Sequence, residues 1–260
     1  LVVCNSLQVD WILSYQPNFK FNIFVKIDSG MGRLGFQNKD LKGVIDLLEN
    51  SNKVENITLM SHFSCADNLA SNSTKAQLSK INSLTDSTNY QSSLANSAAV
   101  MAYSDSHAEY IRPGIMLYGS SPFPYNESFK GLVPAMTLTS SIISIKSFKK
   151  GHSIGYGDRY ICTKDTTIGV VAIGYADGYP RSAKDGTSVF INGCIAKLAG
   201  KVSMDMITID LDGVKNPQIG DRVELFGTNI SIDELAKNSD TISYEIFSKI
   251  TNRVYKTYVY

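Results

Sequence analysis

The apolar pattern of this chain changes period once, near residue 132, and that change limits its architecture more than any other feature. Up to about residue 120, short apolar runs alternate with amphipathic stretches. Leu1-Val2-Val3 precedes a helical stretch from Gln8 to Tyr15, and Asn22 to Asp28 reads as a buried strand ending in polar residues. Leu41, Val44, Ile45 and Leu48 follow at helical spacing. Ile57-Thr58-Leu59-Met60 is the next strand, and Leu78, Ile81 and Leu84 mark the next helix face. Ser92 to Ala95 leads into Asn96-Ser97, a good helix opening. Such alternation implies a parallel sheet with right-handed crossovers. One βαβ unit takes about 30 residues, so this stretch holds four or five strands. That is too few for a closed eight-stranded barrel, which takes about 250 residues.

After a Pro/Gly/Ser-containing connector, Ser120 to Gly131, the period becomes 2. Asn192-Gly193 lies between the apolar runs of Val189 to Ala196, the strongest short hairpin signal. Thr167 to Gly174 and Arg222 to Phe226 read as further strands. Ser231-x-x-Glu234 forms a capping box for one helix, and a second helix carries Ile242, Ile246 and Ile250 on one face. The expected division is an α/β part over 1–132 and a mostly β part over 133–260.

Hydrophobic content of 43% and charged content of 19% are those of a soluble globular chain. A formal net charge of +1 excludes a strong field for nucleic acid or an anionic membrane. No apolar run approaches the roughly 18 residues of a membrane span. The start, Leu1 to Asn5, lacks the basic and apolar regions of a signal peptide and reads like the interior of a longer sequence. Cys4, Cys65, Cys162 and Cys194 are widely spaced, which suits reduced thiols in a cytoplasmic protein. His62, His107 and His152 have no zinc spacing, so no metal is expected.

Polar clusters sit just past the carboxyl ends of the expected strands, where sites collect in α/β folds. Lys26 lies inside an apolar strand. Burying it charged is costly, so it needs a partner or a changed protonation state, unless it snorkels from an edge strand to water. Arg33, past two glycines, can swing back over the same strand end. His62 is either a satisfied core histidine or a functional one. Arg112, a guanidinium between apolar residues, must find an acceptor. Asn96-Ser97 places a hydroxyl and backbone N–H groups at a helix start, which suits an anion or an ordinary cap. Gly114 and Ile115 can add backbone donors. In the β part, Tyr156 and Tyr175 stand among glycines, as turn aromatics often do.

Together, Val25 to Gly35, Ser61-His-Phe63, Asn96-Ser-Ala-Ala99, Arg112-Pro-Gly-Ile115 with Leu117-Tyr-Gly119, Gly155-Tyr-Gly157, Ile173 to Gly178, Val202-Ser-Met-Asp205 and Ser243-Tyr-Glu-Ile246 resemble the motifs of bacterial alanine racemases, in order and approximate spacing. The resemblance spans essentially the whole chain. It implies a fold-type III enzyme: an eight-stranded TIM-type α/β barrel, then a β domain, in a head-to-tail homodimer. It also implies pyridoxal 5'-phosphate as cofactor and interconversion of L- and D-alanine for peptidoglycan synthesis. Two bases on opposite faces are implied, a lysine and a tyrosine from the partner subunit.

Carried over position by position, Tyr156 matches that tyrosine. A phenol, ordinarily titrating near 10, is a poor base without help. His62 and Arg112 match the residues that help it, and Arg112 also matches the residue facing the cofactor ring nitrogen. Ser97, Gly114, Ile115 and Tyr244, with Asn96 beside them, match the phosphate cradle. Arg33 matches a residue near the cofactor's phenolic oxygen and the substrate carboxylate, and Met204 one whose backbone N–H binds that carboxylate from the partner subunit. Tyr175 matches an aromatic gate that narrows the entrance with Tyr156 and Tyr244. Lys26 matches a lysine often carbamylated in the family, and a carbamate would turn a costly cation into an anion able to pair with Arg33.

One departure stands out. The family's Ala-x-x-Lys-x-x-Ala-Tyr-Gly-type strand end, which carries the cofactor lysine, does not occur here. A partial barrel lacking its first strands is therefore expected, with either a second chain supplying those strands or a truncated sequence. The chain alone is expected not to racemise alanine. Rival readings are a serine-preferring racemase of the same family and a non-catalytic binding or assembly fragment. A decarboxylase of the same fold is a further rival, but its β-domain cysteine and aspartate motifs are not found.

Overall fold

The computed structural model describes residues 1–85, 88–124, 126–129 and 131–259. The connector expected over Ser120 to Gly131 includes Tyr125 and Lys130, which lie outside the described residues. The chain divides into two compact units: Leu1–Met116 with Tyr125–Phe129, and Leu117–Pro124 with Lys130–Tyr260.

The first unit alternates strand and helix. β1 (Val2–Val3) precedes α1 (Ser6–Ser14), and β2 (Phe21–Lys26) precedes α2 (Asn38–Glu49). β3 (Val54–Met60), α3 (Ser73–Thr85), β4 (Gln91–Ser93) and α4 (Ser97–Ala102) follow. The strands form a parallel sheet in the order β1-β2-β3-β4. α1 opens on Asn5, whose side chain accepts from the Gln8 N–H at 3.0 Å. Leu41, Val44, Ile45 and Leu48 of α2 are all buried, so one apolar stripe joins that helix to the core. On β2, Ile23 and Val25 are buried, and Lys26 ends the strand half-buried. β2 pairs with both β1 and β3, which removes the edge-strand reading of Lys26.

The turn after β2 is tied back onto its own strand. Asp28 Oδ1 accepts from the N–H groups of Gly30, Met31 and Gly32, each at 3.0 Å. Phe36 N–H then donates to the Lys26 carbonyl at 2.8 Å, and Asp28 N–H to the Phe36 carbonyl at 3.1 Å. Gly35 makes that return possible. Its φ is +126°, and a Cβ there would lie 2.5 Å from the Asp28 nitrogen.

The second unit is a closed antiparallel barrel in the order β10-β11-β8-β5-β12-β9. Its strands are β5 (Leu138–Phe148), β8 (Thr166–Val171), β9 (Ser188–Ile191), β10 (Cys194–Leu198), β11 (Ile207–Asp210) and β12 (Arg222–Phe226). A separate two-stranded ribbon is made by β6 (Ser153–Ile154) and β7 (Tyr160–Ile161). Val189 and Ile191, Ala196 and Leu198, Ile207 and Ile209, and Val223 and Leu225 alternate inward and fill the core. Asn192 and Gly193 carry φ of 49° and 77° between β9 and β10, the tight hairpin expected of Asn-Gly.

Two short helices follow, α5 (Ile232–Asn238) and α6 (Ser243–Lys249). Two expectations there are corrected. Ser231 accepts from the Asp233 N–H rather than sharing a box with Glu234, whose carboxylate takes the Ser188 hydroxyl instead. Ile246 is buried, but Ile242 precedes α6 and is exposed, so the three isoleucines do not share one buried face.

Replacing Gly35 by Ala should therefore lower the unfolding free energy by about 1–3 kcal/mol, the usual cost of crowding a packed site. Urea denaturation of the two chains checks this, and equal midpoints would mean the turn tolerates a side chain.

Candidate active site

In the first unit the site is built on the carboxyl ends of β2, β3 and β4. Arg112 joins two of them. Its Nη1 donates to the Ser93 carbonyl and hydroxyl, both at 2.7 Å, and its Nη2 to the carbonyls of Ser61 at 2.5 Å and Leu94 at 3.3 Å. Its backbone N–H donates to the Ala95 carbonyl at 2.8 Å. These acceptors are all neutral, so they orient the guanidinium without cancelling its charge. Burial pulls its pKa down, yet a guanidinium remains a cation at neutral pH.

That charge reaches its neighbours. His62 is half-buried, and its pKa is pushed down to about 4, first by burial and then by the cations Arg112, Lys26 and Arg33. Its imidazole is therefore neutral at pH 7 and able to accept a proton in a hydrogen bond. Lys26 is pulled down by burial and by Arg112 and Arg33, with Cys4 and Asp28 acting in the opposite sense. Arg33 itself is exposed on the turn held by Asp28. Three cationic side chains and one neutral imidazole thus share the strand ends, a field that favours an anionic ligand.

Beside them, Asn96 caps α4 by accepting from the Ala99 N–H at 3.0 Å. Ser97 is buried, and its Oγ accepts from the N–H groups of Gly114 at 2.7 Å and Met116 at 3.4 Å. Both bonds enter the oxygen, so the hydroxyl proton is left for another acceptor. The Gly114 N–H is directed at Ser97, while Ile115 opens a single 3-10 turn, Ile115–Tyr118. The hydroxyl proton of Ser97 and an excess of cations are donors that suit a phosphate-bearing group.

The second unit presents its own candidates on loops. Tyr156 is 70% exposed, between Gly155 and Gly157 with φ of 75° and 67°. Tyr175 and Met204 are brought together. Tyr175 N–H donates to the Ser203 carbonyl at 3.1 Å, and Ala176 N–H to the Met204 carbonyl at 2.9 Å. Gly174 permits the approach, because a Cβ there would fall 2.3 Å from the Met204 carbonyl oxygen. Arg253 ties the same two loops, pairing with Asp177 at 3.3 Å and Asp205 at 2.6 Å. Tyr244 stands half-exposed in the first turn of α6.

Four buried polar side chains pack around this site, and two of them, Ser93 and Gln77, belong to none of the motifs read from the sequence. Ser29, Ser61, Ser93 and Gln77 are buried beneath His62 and Arg112. The one hint is Gln77, a polar residue beside Leu78 and Ile81 on the buried face of α3.

Fold and site define a two-unit protein, an α/β unit with an anion-favouring strand end and a β-barrel unit bearing exposed tyrosines. Its parts match two family models: alanine racemase, N-terminal domain, over residues 1–122, and alanine racemase, C-terminal domain, over residues 135–258. The alanine racemase of Stutzerimonas stutzeri (strain A1501) is 43% identical over 260 residues, all of this chain and 73% of the relative. The crystal structure of the biosynthetic alanine racemase from Pseudomonas aeruginosa superposes with a TM-score of 0.96 at 42% identity, covering 100% of this chain and 73% of that one. A structure of the alanine racemase from Bartonella henselae with covalently bound pyridoxal phosphate gives 0.88 at 28% identity, covering 99% and 72%. The chain belongs to the alanine racemase family, with its barrel-type N-terminal domain followed by a β domain. Among the described residues, no helix is long and apolar enough to cross a membrane.

The state of His62 has a consequence for stability. Its folded pKa of about 4 lies below the ordinary 6.5, so between those values the unfolded chain binds a proton that the folded chain refuses. The stability tied to the neutral ring is full above pH 6.5 and is lost as pH falls from 6.5 through 4. His62→Asn should lose less melting temperature between pH 7 and pH 5 than the unaltered chain, as read by calorimetry. Parallel losses would show that the ring titrates alike in both states.

Proposed function

We propose that this protein racemises alanine with pyridoxal 5'-phosphate, using a tyrosine and a lysine on opposite faces of the substrate. One observation carries the reading. Lys26, Arg33, Arg112 and a neutral His62 converge on the strand ends of a chain 42% identical over its whole length to a solved alanine racemase. When bound, the cofactor supplies a conjugated ring that acidifies the substrate's alpha proton.

The chain's own side chains do the rest. The Ser97 hydroxyl, oriented by the Gly114 N–H that donates to it, would hold the phosphate together with the Ile115 amide and the Tyr244 phenol, with Asn96 fixing the start of α4. Arg112 would face the ring nitrogen of the bound cofactor. As a permanent donor with no lone pair to offer, it would keep a proton off that nitrogen and moderate the ring's pull on electrons. The partner subunit's Tyr156 takes the alpha proton of L-alanine. His62, held neutral by burial and by its cationic neighbours, accepts a hydrogen bond from that phenol and eases the transfer. Arg33 and the N–H of the partner subunit's Met204 bind the substrate carboxylate, and Tyr175 with Tyr156 and Tyr244 narrows the entrance to favour a small side chain. Carbamylation of Lys26 would relieve the crowding of cations by pairing with Arg33.

The opposite base is a lysine in a motif that these 260 residues do not contain. We assign it to further strand–helix units that extend this sheet into a complete barrel. The exposed row Leu7, Trp11 and Tyr15 at helical spacing along and just beyond α1 supports that extension. The division near residue 132, the head-to-tail homodimer and a cytoplasmic location belong to the same reading.

Supplied with pyridoxal 5'-phosphate and L-alanine, the 260-residue chain should form no sustained D-alanine. Combined with the lysine-bearing segment of a relative it should do so, and Tyr156→Phe should cut that rate by about 10²–10⁴-fold, the usual weight of a general base. Turnover by the chain alone, or an unaffected Tyr156→Phe, would overturn the assignment of the two bases.

A further inference from the structure

A buried amide on α3 reaches under both His62 and the turn that carries Arg33. Gln77 is 3% exposed, and each hydrogen-bonding position of its side chain is used. Oε1 accepts from the Ser64 N–H at 3.0 Å and from the Ser64 hydroxyl at 3.1 Å. Nε2 donates to the Ser29 hydroxyl at 3.0 Å and to the His62 carbonyl at 3.1 Å.

Proton counting fixes these directions. Ser61 Oγ donates to the Ile27 carbonyl at 2.9 Å, which uses its one proton. Ser29 Oγ, 2.7 Å from Ser61 Oγ, must then donate to it and receive its own bond from Gln77. The His62 carbonyl only accepts, and the Ser64 N–H only donates. The amide therefore has a single allowed orientation, set by four groups of three residues on two separate segments.

The same helix holds the Arg33 turn elsewhere. Lys80 Nζ donates to the Asp28 carbonyl at 3.1 Å, and a Cβ on Gly30 would lie 3.4 Å from Gln77 Cγ. Ser61, the end of the relay from Gln77, offers its carbonyl to Arg112. An apolar side chain would fill this space as well, but it would not connect these groups.

We propose that Gln77 is a positioning residue, whose amide sets the depth of His62 and of the Arg33 turn at the strand ends and, through Ser29 and Ser61, the seat of Arg112. This deepens the roles given to His62, Arg33 and Arg112 above, but its test is read on the chain itself. The charged groups facing the His62 ring are Arg112 from the segment after β4, Lys26 from β2 and Arg33 from the turn after it. Freed from Gln77, the ring gains water and leaves that field.

The test follows the histidine ring signals by NMR in the full chain carrying ¹³C-labelled histidine, with His62 assigned by its loss in His62→Gln. In the unaltered chain the His62 midpoint should lie at about 4. Gln77→Glu turns a donor into an acceptor at constant size, and Gln77→Met keeps the bulk but removes the bonds. In each folded variant the His62 midpoint should rise by about one pH unit or more, as expected for a group gaining solvent, while His107 and His152 stay put. Exchange of the Ser64 N–H in the unaltered chain gives a reading that needs no variant, and it should be strongly protected. A His62 midpoint that stays put in either folded variant, or an unprotected Ser64 N–H, would show that Gln77 only fills space and overturn the proposal. A shifted midpoint in a chain that never racemises alanine would leave the positioning role standing and remove only the racemase reading.

Discussion

One guanidinium sets the terms for the first unit. Arg112 lies across the ends of β3 and β4 and gives its protons to the carbonyls of Ser61, Ser93 and Leu94 and to the Ser93 hydroxyl. It cannot shed its charge, and none of these partners is an anion. The charge is oriented but not neutralised, with Lys26 and Arg33 adding to it. A partly buried cation without a counter-ion is costly, and like charges nearby raise that cost. A strand end so arranged is stabilised by whatever anion it binds, because ligand binding to the folded state alone adds to stability.

The neutral imidazole of His62 is the counterpart of that excess charge. Burial, together with the cations that make the strand end attractive to a phosphate, holds His62 unprotonated at pH 7. A single arrangement thus provides a binding field and an acceptor for a phenolic proton. In the second unit the emphasis falls on backbone. Gly174 lets the turn of Tyr175 rest on the carbonyls of Ser203 and Met204, and Arg253 pins Asp177 and Asp205. Tyr175 and Met204 are thereby carried on loops joined to each other by backbone hydrogen bonds and ion pairs.

What the sequence discloses of this fold follows from which interactions are local. The stripe of Leu41, Val44, Ile45 and Leu48, the Asn96 cap and the Asn192-Gly193 hairpin are each settled within a few residues, and each is found where its pattern puts it. Polar residues at strand ends are legible too, since they interrupt an apolar period. Sheet order is not, and so Lys26 reads equally well as an edge residue until β1 and β3 are seen on either side of β2. Glu234 reads as part of a cap because its competitor, Ser188, is 46 residues away. Gln77 is hidden for the same reason. Its partners Ser29, His62 and Ser64 come from distant segments, and only the fold reveals that a polar side chain at a buried position is fully satisfied.

On the reading proposed above, the strand ends of the first unit form a phosphate-requiring cofactor site built on Ser97 and Arg112. Pyridoxine 5'-phosphate, which has no aldehyde to react with a lysine, reads that cradle alone. Calorimetric titration into the chain should show saturable binding, lost for pyridoxine without its phosphate and weakened by about tenfold or more in Ser97→Ala and Arg112→Met, the scale expected for losing hydrogen bonds to a charged group. Equal binding of the two ligands, or affinity untouched by both substitutions, would contradict it.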